Sequence, residues 1–468
     1  VTSPPLTHDV VAAATRWADS WIAVRAAAQR VPGVQIAVRL AGDLVLSSAH
    51  GVADASTAEP LTPQHVFRVA SHSKTFTATA VLLLAEQGRL RLDDPVARHV
   101  PWVGEADDEL GRSTLRELLA HAAGVTRDGL DGDFWTLDGE FLDTAGLRAA
   151  ATAGGSLLPR SSRFKYSNIG YSLLGAVVEA VTGTSYAEHV TQALLRPLEL
   201  TRTTPELDPR SPHPAAVGHT SFLTSSRRRP LPDADTHAMA AATGFCSTAE
   251  DLTAWFSAHS PASPDRLLDE HSLRLAQHPG WVVEGSDRHY GLGFVVQRVG
   301  TRTLVGHSGG FPGHITQSLL DPAARFAVSV LTNCVDGPAS ELALGVVKVV
   351  DLFAETWREE TPTVDLDAFC GRWASVWGLL DVVRCGTALL ALDPGREDPT
   401  VGVTRLEVLD ERRLRVTDDS GFGDHGSTWT LDRDDDGTPT LRAHSGSRLR
   451  PLARYLAATD EPAAPGRG

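Results

Sequence analysis

Three short runs hold residue types that can do chemistry together: Ser71-His72-Ser73-Lys74, Tyr166-Ser167-Asn168 and His307-Ser308-Gly309. Ser71 and Lys74 sit three residues apart at a predicted helix start, which puts both side chains on one face within hydrogen-bond reach. A lysine without its proton takes the hydroxyl proton of the serine, and a helix N-terminus adds N–H groups and partial positive charge beside it. An N-cap serine with a surface lysine fits the same four residues. Tyr166 offers a phenol that relays a proton to a leaving group, and Asn168 an amide that holds a substrate amide or the Lys74 ammonium. A tyrosine packed on a helix end capped by the asparagine fits as well. The glycines after His307 and Ser308 let a substrate lie along a strand edge, and the N–H of Gly310 could complete an oxyanion hole with that of Ser71. His307 could share protons with Tyr166 or contact the acyl group, while a glycine-rich hairpin turn is the plainer reading. Taken together, the three runs equip a serine hydrolase that passes through an acyl-enzyme.

Gly306-His307-Ser308-Gly309-Gly310 also matches G-x-S-x-G, the nucleophile elbow of α/β-hydrolases. That elbow needs a strand before it and a helix after it, whereas the β-rich run Ile315–Leu320 follows here. Of 43 basic residues, only Lys74, Lys165 and Lys348 are lysine. A chain that nearly always chooses Arg places a group able to lose its proton at Lys74.

These residues need elements to carry them. Positions 8–30 have the spacing of an amphipathic helix. Val34–Leu40 and Leu44–Ser48 form a predicted hairpin with Gly42-Asp43 in its tight turn. A helix is predicted from Ser71 to Gln87, stopped by Gly88. From about 90 to 250 the pattern is mostly helical, with helices over Ser113–Ala122 and Gly170–Val181. Ser247-Thr248-Ala249-Glu250 reads as a capping box opening a helix through Trp255 and Phe256. From about 290 the period becomes two, giving strands Phe294–Val299, Thr303–Val305, Ile315–Leu320 and Phe326–Leu331, then a helix Leu342–Glu355. Strands at both ends of this region bracket a helical insert, so one antiparallel sheet is expected with a helical subdomain beside it, an α+β fold.

Composition shifts near Glu359-Glu360-Thr361-Pro362. Beyond it Trp377–Val383, Ala388–Leu392, Val401–Val408, Arg413–Thr417, Ser427–Leu431 and Thr438–Ala443 read as short strands of a separate all-β barrel. Asp432-Arg433-Asp434-Asp435-Asp436-Gly437 matches the first half of a calcium loop, but Ala443 stands where the closing Glu belongs, so an acidic hairpin turn is expected. The net charge of -15 argues against nucleic-acid and acidic-membrane partners, and Arg227-Arg228-Arg229 reads as a solvated loop. Four cysteines without C-x-x-C spacing read as free thiols, no stretch is long and apolar enough to span a membrane, and a cytoplasmic location is expected, with a removed leader before Val1 as the alternative. Neither metal nor cofactor is expected, and the partner is a small-molecule or peptide-like acyl substrate.

The three motifs in this order resemble the serine β-lactamase and penicillin-binding-protein superfamily, and more closely its class C-like branch of carboxylesterases, D-aminopeptidases and related serine hydrolases. Phe67-Arg68-Val69-Ala70-Ser71, Leu90-Arg91-Leu92-Asp93-Asp94-Pro95, Leu118-Leu119-Ala120-His121 and Leu331-Thr332-Asn333 look like landmarks of that superfamily. The resemblance covers about residues 30–355. It implies Ser71 as nucleophile, Lys74 and Tyr166 as the acid/base pair, Asn168 as a substrate contact, and an oxyanion hole from Ser71 and Gly310. The β-lactamases carry Lys where this chain has His307, which weighs against efficient β-lactam hydrolysis. The resemblance also implies a hydrolase domain over 1–358 and a lipocalin-like accessory barrel over 362–468. The candidate catalytic residues are thus Ser71, Lys74, Tyr166 and His307, and the substrate-binding ones Asn168, Ser308, Gly309 and Gly310. The expected function is cleavage of an ester or amide through acyl-Ser71. The alternatives are a peptide-cyclising acyl transferase of the penicillin-binding-protein thioesterase type and a penicillin-binding sensor without turnover.

Overall fold

The computed structural model describes residues 3–223, 226–360, 362, 364–418, 424–443 and 446–460. Val1, Ser225 of the expected arginine loop, Thr361 at the expected domain border and positions 461–468 lie outside them. The chain divides into two compact units, Val31–Ala343 and Thr2–Arg30 with Leu344–Gly468. This division differs from the border near 358–362: the N-terminal helix and most of Ala339–Thr356 group with the C-terminal strands.

In the first unit, β1 (Gly33–Leu40) and β2 (Asp43–Asp54) form the expected hairpin. Its turn residues are Ala41 and Gly42, at φ 55° and 102°, with Leu40 facing Asp43. The turn therefore falls one residue earlier than Gly42-Asp43, because a two-residue hairpin of this hand needs positive φ at both central positions. β3 (Glu59–Pro60) flanks β2, and β4 (Phe67–Arg68) pairs separately with β5 (Cys246–Ser247). Six strands follow: β6 (Trp281–Val282), β7 (His289–Tyr290), β8 (Val295–Val299), β9 (Arg302–Phe311), β10 (His314–Asp321) and β11 (Phe326–Thr332). The sheet order is β3-β2-β1-β11-β10-β9-β8-β7-β6, so strands from both ends of this unit meet at the β1–β11 pair. β11 is buried along its whole length, and helix Ala249–Ser257 packs on β1 and β11. That helix is capped by the side chain of Thr248, which accepts from the N–H of Asp251, one residue on from the expected cap at Ser247, and it is a single cap rather than the expected box with Glu250. Between β4 and β6 the unit is mostly helical, including Ser73–Glu86, Leu115–Leu119 and Asn168–Thr182. The arginine loop is not wholly solvated: Arg228 stacks 4.5 Å over Phe222 and ion-pairs with Asp336.

The second unit holds a closed eight-stranded barrel. Its strands are β12 (Gly371–Ser375), β13 (Gly378–Cys385), β14 (Ala388–Leu392), β15 (Thr404–Asp410), β16 (Arg413–Asp418), β17 (Thr428–Arg433), β18 (Pro439–Ala443) and β19 (Ser447–Pro451). β12 closes on β19 through Trp373–Pro451 and Ala374–Arg450. Trp373, Leu389, Leu414, Trp429 and Leu441 fill its core, as in other small barrels packed with side chains. Helix His8–Ala28, capped by Thr7, belongs to this unit. Trp17 Nε1 donates to Asp381 Oδ2 at 2.9 Å, and Trp21 Nε1 to the Arg396 carbonyl at 2.9 Å. The acidic run after Leu431 is the β17–β18 turn, its carboxylates paired with Arg412, Arg448 and Arg454. All four cysteines are free. Among the described residues no helix is long and apolar enough to cross a membrane.

Candidate active site

Ser71 lies in a single 3-10 turn, Ala70–His72, directly before helix Ser73–Glu86. Ala70 holds φ 46°, a left-handed conformation that costs a non-glycine residue about 1–3 kcal/mol and persists only where neighbours impose it. Here the neighbours are hydrogen bonds. Ser73 Oγ donates to the Ala70 carbonyl at 2.5 Å and accepts from the N–H of Phe245 at 3.0 Å. His72 points away from the turn, buried, with Nε2 2.9 Å from Ser318 Oγ. One helical turn after Ser71, Lys74 is completely buried.

Three contacts surround the Lys74 amine: Ser71 Oγ at 3.2 Å, Asn168 Oδ1 at 2.7 Å and the Ala242 carbonyl at 2.8 Å. The last two can only accept, so they take two N–H bonds. In the neutral amine the remaining lone pair faces the Ser71 hydroxyl. Burial pulls the Lys74 pKa well below its ordinary 10.5, while Asp128 nearby raises it and Arg127 lowers it. Tyr166 donates its hydroxyl to Ser71 Oγ at 2.7 Å, and burial raises its pKa above the usual 10. The phenol therefore stays protonated, suited to give a proton rather than to take one. The Lys74 amine nitrogen lies 4.7 Å from the Tyr166 ring and 5.6 Å from that of Tyr171, both placed to stabilise its charged form by cation–π contact.

The loop that carries Tyr166 is held from behind. His121 is buried at φ 54°, its Nδ1 accepts the N–H of Ser167 at 3.1 Å, and its ring lies 4.3 Å from that of Tyr166. Ser167, not Asn168, caps helix Asn168–Thr182, accepting from the N–H of Gly170. That frees Asn168 for the site. Its Nδ2 donates to Asp128 Oδ1 at 2.6 Å, which turns Oδ1 toward Lys74.

His307, Ser308, Gly309 and Gly310 all lie inside β9, not in a hairpin turn, and β10 rather than a helix follows. The nucleophile-elbow alternative fails on that geometry. A Cβ on Gly309 would stand 2.1 Å from the Val69 carbonyl oxygen and 2.5 Å from Thr316 Oγ1. Only glycine lets the strand come this close to the turn that carries Ser71. β8 pairs with β9 only as far as Gly306, and Gly310 beyond it is exposed. Ser308 is half-buried. His307 is buried, with Nδ1 2.7 Å from the Ser308 carbonyl and Nε2 3.0 Å from Tyr290 OH. The carbonyl fixes the proton on Nδ1, so Nε2 accepts from the phenol. Both nitrogens are used, and burial lowers the pKa to about 3, which keeps the ring neutral.

The fold thus brings Ser71, Lys74, Tyr166 and Asn168 together by direct hydrogen bonds. It places β9 against the same turn, and gives His307 to Tyr290 instead of Tyr166. Arg127, Asp128, Ala242 and Tyr290 escaped the sequence reading. Arg127 and Asp128 follow the Leu118–His121 landmark within a loop, and their adjacency was the one available signal. A backbone carbonyl such as that of Ala242 leaves none.

The family model for Beta-lactamase matches residues 18–349. Protein flp of Staphylococcus aureus strain MRSA252 is 28% identical over 307 residues, 65% of this chain and 60% of that protein. The chain therefore spans about 60% of the length of such curated relatives. The octameric penicillin-binding protein homologue from Pyrococcus abyssi is similar over 93% of this chain and 99% of its own, with TM-score 0.64 and 22% identity, a likeness of fold. A D-stereospecific amidohydrolase from Streptomyces sp. is 25% identical with TM-score 0.61, covering 73% of this chain and 98% of its own.

Proposed function

Because the chain belongs to the beta-lactamase family, we propose that it is a serine hydrolase that cleaves an amide or ester through an acyl-Ser71 intermediate, with D-configured aminoacyl amides as its preferred class. The observation that carries the reading is the buried Lys74 amine, with two N–H bonds to pure acceptors and its third position facing Ser71 Oγ. Lys74 takes the hydroxyl proton as Ser71 Oγ bonds to the substrate carbonyl carbon. Tyr166, hydrogen-bonded to Ser71 Oγ, passes its proton to the departing amine or alcohol and regains one from Lys74. The carbonyl oxygen, now negative, is received by the N–H groups of Ser71 and Gly310. Asn168 keeps one amide hydrogen for the substrate beyond the one it gives to Asp128. Water then attacks the acyl carbon by the same steps in reverse order. The preference for D-configuration is supported by the likeness to the D-stereospecific amidohydrolase.

Purified protein is assayed against matched D- and L-aminoacyl amides and short-chain esters. Turnover that favours the D-amide and falls at least about 10³-fold in Ser71→Ala is the expected result. Turnover that survives Ser71→Ala refutes the assignment. Product that appears as a new amide when an amine is added, at the expense of the free acid, assigns acyl transfer in place of hydrolysis.

A further inference from the structure

We propose that Arg127 receives a carboxylate carried by the substrate, so that the site favours acyl groups with an anion a few bonds from the scissile carbonyl. The inference rests on the serine-hydrolase reading given above. Arg127 is anchored at three levels. Its carbonyl accepts the N–H groups of Asn168 and Ile169, at 2.8 and 3.2 Å, fixing its backbone to the first turn of helix Asn168–Thr182. Its Nε donates to Asp128 Oδ2 at 3.1 Å. Its guanidinium carbon lies 5.4 Å over the ring of Tyr166, whose hydroxyl touches Ser71 Oγ. The anchoring uses only Nε. The terminal nitrogens are given no partner by the described residues, and the side chain is 66% exposed. The carboxylate of Asp128 is itself divided, since Oδ1 accepts from Asn168. What remains is a planar pair of N–H-bearing nitrogens, held one tyrosine ring from the nucleophile, with the fork geometry that matches a carboxylate.

Neither Lys74 nor His307 offers this. Lys74 is buried with its amine committed to Ser71, Asn168 and Ala242. His307 has both ring nitrogens engaged, with the Ser308 carbonyl and Tyr290. An anion on the substrate therefore finds its counter-ion in Arg127. Arg127 stands over the ring whose hydroxyl touches Ser71 Oγ, so the anion belongs several bonds from the scissile carbonyl.

The test compares 4-nitrophenyl hydrogen glutarate with 4-nitrophenyl pentanoate, esters of equal chain length that differ in one carboxylate. The quantity read is the ratio of their kcat/KM values in the full-length protein, in Arg127→Gln and in Arg127→Lys, each checked for folding by circular dichroism. The wild-type ratio should favour glutarate and fall at least about tenfold in Arg127→Gln, with Arg127→Lys between the two. Added salt should lower the ratio in the wild type and leave it unchanged in Arg127→Gln. A ratio that is the same in wild type and Arg127→Gln overturns the proposal. If neither ester is turned over, the hydrolase reading fails separately, and calorimetry with glutarate decides on Arg127. Binding weakened at least about tenfold in Arg127→Gln supports the carboxylate site, and equal or undetectable binding in both proteins overturns it.

Discussion

Lys74 is one of only three lysines in the chain, and its surroundings explain why arginine cannot stand there. A fully buried amine close to Ser71 Oγ can exist without its proton, whereas a guanidinium cannot. Lys74→Arg should therefore retain less than about a tenth of the wild-type acylation rate, a loss of at least about 1.4 kcal/mol of barrier stabilisation. Pre-steady-state release of nitrophenol measures it, and retention of more than that fraction would make Lys74 a structural residue. The acylation rate should also fall as pH drops through the depressed Lys74 pKa, because protonation removes the base. His307, at about 3, adds no titration above that value. At this scale the sequence exposed the residues that the fold brings together, since serine, lysine and tyrosine carry distinctive chemistry by type. It concealed what orients them. Asp128 acts through Asn168 and through its charge on Lys74, the Ala242 group is backbone, and Tyr290 takes the nitrogen of His307 that could have served Tyr166.

The elements act by bringing the Ser71 turn and β9 to contact distance. Gly309 is the residue that permits this, because the added Cβ of Gly309→Ala would meet the Val69 carbonyl oxygen at 2.1 Å. Separating strand and turn by even about an ångström misplaces the nucleophile against the strand edge, an error worth roughly 10²-fold in rate. Gly309→Ala should therefore lose activity by that order while remaining folded. In Gly310→Ala the new Cβ meets only Ile315 Cδ1 at 3.6 Å, an ordinary contact, so its thermal midpoint should match the wild type. Full activity in Gly309→Ala would show that the close approach does not set the site. Most elements of the first unit were legible, because their apolar periods are long and their caps are near. In the barrel, the period-two pattern revealed the central strands but neither β12 nor β19. Gly371–Ser375 buries only Trp373 and Ala374, and Ser447–Pro451 only Leu449, so neither presents a strand-like run of apolar residues.

At the scale of the whole molecule, the compact units differ from the domains that composition marks out. The change near Glu359 is a change in pattern, but Trp17 and Trp21 bind groups in the barrel sequence more than 300 residues away, a pairing invisible to local reading. The first unit also carries a pH-dependent weakness. His72 and His259 are held at about 4, and His307 and His314 at about 3, all by burial. In the unfolded chain a histidine titrates near 6.5. Above that pH neither state is protonated and these residues cost nothing. Below it the unfolded chain binds protons that the native state refuses, so stability falls until the native pKa values are reached. The thermal midpoint of the unit should drop by several degrees, roughly, between pH 7 and pH 5, as read by calorimetry. A midpoint independent of pH over that range would mean these histidines are not held neutral. The central claim, a covalent acyl group on Ser71, has the most direct test. The protein is mixed with a slowly hydrolysed ester or a fluorophosphonate, quenched, digested and mapped by peptide mass spectrometry. The adduct should sit on Ser71 and be absent from Ser71→Ala, while an adduct on Ser308, or turnover with no covalent species at all, would contradict the account.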